Sequence, residues 1–124
     1  MNTNHTFKVL PKACNVEQRA SFYQSMIFLL EFEKNITKAI EITEHIFSTD
    51  FMKERISIIK KEVKDDCINR NGQFDKVSIG KIISNNLGNV KDAEYLALVM
   101  PYGDIKTAFK NALNAIKLIK ELSE

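Results

Sequence analysis

Between Leu29 and Glu41 the chain leaves a dense apolar run, crosses a few polar residues and resumes helix-spaced apolar positions. Leu29-Leu30 closes the first run, and Phe32-Glu33-Lys34-Asn35 makes the connection. Asn35 or Thr37 can then cap a second helix, whose inner stripe is Ile36, Ala39, Ile40, Thr43, Ile46 and Phe47. A connection this short joins neighbouring antiparallel helices. The chain therefore contains a helical hairpin near its start. The rest has few breakers to oppose the same habit, with 4 Gly and 2 Pro in 124 residues.

The other expected helices follow from caps and spacing. Asn15 starts the first helix, with Gln18 as its capping-box partner. Val16, Ala20, Tyr23, Ile27 and Leu30 share one face, widened by Phe22, Met26 and Leu29. Ser48-Thr49-Asp50 stops the second helix and caps a third. That helix runs from Phe51 to Arg70, with Met52, Ile56, Ile59, Val63 and Cys67 inward, and ends at Asn71-Gly72. Asp75 caps a short fourth helix with Val77, Ile79, Ile82 and Ile83, closed by a loop over Asn85-Asn86-Leu87-Gly88-Asn89. A fifth covers Lys91 to Met100, and Pro101-Tyr102-Gly103 breaks it. Asp104 caps the sixth, which buries Ile105, Ala108, Phe109, Ala112, Ile116 and Ile119. The expectation is all-α: an antiparallel bundle of about six helices over residues 15–124. Residues 1–14 form an N-terminal arm, where Phe7 and Val9 alternate with polar residues before Pro11.

Few chemistries can be assembled from these residues. Cys14 and Cys67 match no CxxC spacing and read as reduced thiols. His5 and His45 have no second ligand at zinc spacing. From Cys67, the positions of Asn69, Asn71 and Gly72 imitate a calcium loop. The first ligand would be a thiol, however, and the twelfth position is Ser78 rather than a bidentate glutamate. Glu31 and Glu33 flank a helix end and read as solvated. No Gly-rich phosphate loop and no G-x-S-x-G are present. The expectation is a non-enzyme with no cofactor and no metal.

Charge offers one candidate surface. Lys106, Lys110, Lys117 and Lys120 fall on one flank of the last helix, which reads either as a solvated face that keeps the bundle soluble or, more sharply, as a surface for anionic lipid or an acidic partner. The net charge of +2 does not by itself imply nucleic acid. Ser78 to Tyr95 could be drawn as a helix-turn-helix. Its would-be second helix carries Lys91, Asp92 and Glu94 and no row of Arg, Asn or Gln to read base edges. The longest clean apolar run, Met26 to Leu30, is far too short to span a bilayer, so the chain as given reads as soluble.

Over residues 16–122, the order of helices and turns resembles the cytoplasmic domain of the type II secretion F protein and type IV pilus inner-membrane platform family. The resemblance lies in Leu29-Leu30, the turn through Asn35 and Ile36-Thr37-Lys38-Ala39-Ile40. It continues in the charged stretch from Phe51 to Arg70, Gly72, and the apolar helix from Phe74 to Ile83. Val99 to Ile105 then takes the place of the last turn, where Gly103 and Ile105 match the family and Val99-Met100 stands for Gly-Glu. Glu33 stands where the family's first turn has glycine, as in a divergent pilus-type member. No metal-binding or interface residue is carried over. The resemblance implies six antiparallel helices, a tendency to form a homodimer and a place on the cytoplasmic face of the bacterial inner membrane. It implies an assembly ATPase and other platform proteins as partners, with membrane segments outside this chain and no nucleic acid. The other expectations are a free-standing helical adaptor and, behind it, a DNA-binding regulator.

Overall fold

The computed structural model describes residues 14–33, 35–67, 76–87 and 105–123. Five α-helices lie among them: α1 (Val16–Leu29), α2 (Ile36–Ile46), α3 (Asp50–Glu62), α4 (Lys76–Leu87) and α5 (Ile105–Ser123). A π-helical turn, Val63–Cys67, follows α3 directly. No strand occurs among the described residues. The described residues are therefore all-α, as expected from their spacing. The expected helix over Lys91 to Met100 and the arm before Cys14 lie outside the described residues.

A side-chain cap starts each of the first three helices, Asn35 rather than Thr37 at the second and Thr49 at the third, which begins at Asp50. At α1 both halves of the capping box form: the Gln18 amide donates to Asn15 Oδ1 at 2.8 Å, and the Asn15 amide to Gln18 Oε1 at 2.9 Å. Asn35 caps α2, accepting from the Lys38 amide at 3.2 Å. Thr49 caps α3, accepting from the Met52 amide at 3.3 Å. Each cap satisfies an amide that the helix itself leaves unpaired.

The packing order is α5–α1–α2–α3–α4. Named contacts give the directions. Lys106, early in α5, reaches Glu31 just beyond α1, whereas Lys117, later in α5, lies near Ala20 and Ser21. Lys60, late in α3, meets Glu41 and Glu44 of α2, and the Lys53 ammonium donates to the Glu44 carbonyl at 3.2 Å. Neighbouring helices are thus antiparallel at both seams. One core joins them, built on Phe22, Tyr23, Met26, Ile40, Ile56, Ile59, Ile83 and Phe109. Phe109 packs edge-on to Phe22 at a centroid distance of 6.3 Å and tilted to Tyr23 at 5.9 Å.

Four expectations need correction. Asn85 to Leu87 do not form a loop, because α4 continues through Leu87. Asn86 is buried there and its amide donates to Glu62 Oε1 at 2.7 Å and to the Ile82 carbonyl at 2.9 Å. The buried Arg55 guanidinium donates to the Asn86 carbonyl at 2.8 Å, and Leu87 is fully buried. These partners offset the turn preference of asparagine. The third helix is not one α-helix to Arg70: it turns π-helical at Val63, while 68–70 lie outside the described residues. Ile46, expected on the inner stripe of α2, is 56% exposed, because it stands in the last turn of the helix. Cys14, assigned to the arm, is instead part of the core. Its amide donates to the Leu87 carbonyl at 3.1 Å and its thiol lies 3.6 Å from the Met52 sulfur.

Candidate interaction surface

The outward face of α1 carries the surface. Phe22, Tyr23 and Met26 point into the core. One turn apart on the opposite side stand Ser21, Gln24 and Phe28, with Phe32 continuing just past the helix. Phe28 and Phe32 are 61% and 77% exposed and stack edge to face with centroids 5.5 Å apart. Turn bonds hold Phe32 in place, with its amide donating to the Leu29 carbonyl at 3.0 Å and the Glu33 amide to the same oxygen at 2.8 Å. The Asn35 amide donates to Glu33 Oε2 at 3.0 Å, so the acidic connection is itself tied down.

At the other end of the same face the surface sinks into an open groove of about 550 Å³. Ala20, Ser21, Gln24 and Ser25 line it from α1, three of them with small side chains. Ile46, Phe47 and Ser48 line it from the end of α2, and Leu113 and Lys117 from α5.

The four lysines proposed from sequence have different fates. Lys106 pairs with Glu31 at 2.8 Å, with about a quarter of its side chain exposed. Lys110 is exposed and shares the flank. Lys117 is exposed at the groove. The Lys120 side chain lies outside the described residues. The flank is therefore partly a seam to α1 and partly an open cationic edge. Among the described residues no ion pair engages Lys110 or Lys117.

Sequence reasoning missed Phe28 and Phe32. The signal was present: Phe28 falls off the core-facing stripe, and Phe32 sits within a polar connection. A large aromatic in either place is exposed unless something covers it.

The remaining chemical candidates stay apart. Cys14 is buried, and burial pushes its thiol above the ordinary value while Arg55 and Arg19 pull it down less strongly. His45 is exposed on α2, and His5 lies outside the described residues. The calcium-like loop lies largely outside them, as does the second half of the helix-turn-helix candidate. Among the described residues no three His, Cys, Asp or Glu side chains gather where a metal could be held. No helix among them is long and apolar enough to cross a membrane.

No family model, curated protein or solved structure matches the chain.

Proposed function

We propose that this chain is a non-catalytic helical interaction domain, on the cytoplasmic face of a bacterial inner membrane. It binds the assembly ATPase and neighbouring platform proteins of a type IV pilus or type II secretion machine. The observation that carries the interaction reading is the exposed Phe28–Phe32 pair at the hairpin tip. Exposed, contiguous apolar surface of this kind marks a binding site. The machine and its location rest on the resemblance in the order of helices and turns.

The mechanism is mechanical. A helical bundle transmits displacement between partners bound to different faces, because packed helices shift as units rather than deforming continuously. The lysine flank of α5 supplies a cationic edge for an acidic partner or for anionic headgroups.

Expression of the complete gene together with a type IV pilus or type II secretion assembly ATPase of the same organism tests the proposal. The expected result is an apolar segment of about 20 residues beyond Glu124 and ATPase that co-purifies with the membrane-bound product. A reading frame that stops at Glu124, combined with no ATPase capture, overturns it and leaves a free-standing adaptor.

A further inference from the structure

The groove and the aromatic pair belong to one continuous face. Ser21, Gln24 and Phe28 follow one another at three- and four-residue spacing, with Phe32 a turn further. Four large hydrophobic side chains are exposed among the described residues, and Phe28, Phe32 and Ile46 of these lie on or beside this face. Leu118 of α5 is the fourth. Exposure concentrated this way differs from the scattered apolar residues of an ordinary surface.

The shape of the face suits a helix. The α1 residues that line the groove include the small side chains Ala20, Ser21 and Ser25, beside residues from the end of α2 and from α5. Interhelical distance is set by side-chain size at the contact, so small residues here admit close approach. Its charge selects the partner's flank. Lys106, Lys110 and Lys117 follow the α5 side of the face over about 16 Å at the rise of an α-helix. Glu31 already sits on that flank, 2.8 Å from Lys106. Lys110 and Lys117 offer the same charge further along.

We infer that the outward face of α1 binds an amphipathic helix of a partner protein. The partner's apolar stripe fills the groove and lies against Phe28 and Phe32, and its flank beside α5 is acidic. The inference rests on reading the chain as an interaction domain, and it adds the surface and the chemistry of the partner. Such helix-in-groove recognition takes its affinity from a few apolar anchors at helical spacing. The lysines govern which flank and orientation are accepted.

Two synthetic helical peptides of about 18 residues test it. Both carry leucines at i, i+3, i+4 and i+7 spacing, and one has a glutamate flank where the other has lysines. Each is titrated into the isotope-labelled 124-residue chain and followed by amide chemical shifts. The expected result is that the glutamate peptide shifts amides of residues 20–32, 46–48 and 110–117, and binds at least about tenfold tighter than the lysine peptide. A Phe28→Ala/Phe32→Ala variant, with an unchanged circular dichroism melt, should weaken that binding by about tenfold or more. Lys117→Glu should narrow the preference between the peptides. Equal binding of both peptides overturns the inference, as do shifts confined to other faces. So does a concentration-dependent dimer, seen by sedimentation, that Phe28→Ala/Phe32→Ala abolishes, because the occupant is then a second copy. If the double variant still captures the assembly ATPase as well as wild type, this face falls while the proposed function stands. If the wild-type chain captures no ATPase but the glutamate peptide still binds the face, the reverse holds.

Discussion

At Asn86 one side chain holds the end of a helix. Its amide bonds the Glu62 carboxylate and the Ile82 carbonyl, while the backbone carbonyl of the same residue accepts from the Arg55 guanidinium. Arg55 also lies over the Phe51 ring, 4.7 Å from the centroid, so a buried cation is held on two sides. Removing the Asn86 amide leaves Glu62 without that donor and loosens the last turn of α4. Asn86→Ala is expected to lower stability by about 1–3 kcal/mol, read as a lower urea midpoint. Two phenylalanines make the opposite contrast. Phe109 packs in the core against Phe22 and Tyr23, and Phe109→Ala is expected to cost about 3–5 kcal/mol. Phe28 is mostly exposed, so Phe28→Ala should stay within about 0.5 kcal/mol of wild type. Matched urea melts of the two variants check both values. Cys14 gives a dependence on pH. Its folded pKa is raised above the ordinary value of 9.0, by burial first. The resulting contribution is fully present below the unfolded pKa and is lost as pH rises towards the folded one, because the unfolded thiol ionises first. In a Cys67→Ser background, the stability difference between Cys14 and Cys14→Ala should therefore shrink from pH 8 to pH 10.

Each helix was legible to the extent that its boundary is a local matter. The starts of α1, α2 and α3 each depend on one side chain within four residues: Asn15 stands where the sequence places it, Asn35 is one of the two caps the sequence offers, and Thr49 lies within Ser48-Thr49-Asp50. Asn15→Ala should lower the thermal midpoint, at about 0.5–2 kcal/mol for a lost cap. Calorimetry would show it, and Gln18→Ala should give a smaller loss in the same direction. The end of α4 was not legible, since Asn86 takes its helical conformation from Arg55 and Glu62, 31 and 24 residues away. The π turn at Val63 was hidden for a related reason: Val63 is buried as an ordinary helical stripe would place it, and the spacing does not reveal the altered winding beyond it. The lysine flank of α5 could be read from periodicity, but its division could not. Only the packing of α5 against α1 shows that Lys106 is committed to Glu31 while Lys117 borders a groove.

The whole molecule follows from the order of those helices. Packing α5 and α2 on either side of α1 buries Phe22, Tyr23 and Met26 and turns Ser21, Gln24 and Phe28 outward. The same antiparallel arrangement sets the lysines of α5 along that face. The proposed binding surface is thus created by the packing order, and the proposal is that it serves an assembly machine. The most direct measurement is sedimentation velocity of the purified chain with a type IV pilus or type II secretion assembly ATPase of the same organism, for wild type and for Phe28→Ala/Phe32→Ala. The predicted result is that the wild-type chain moves with the ATPase boundary and the double variant remains behind. A wild-type chain that sediments alone at every ratio of ATPase would contradict the claim.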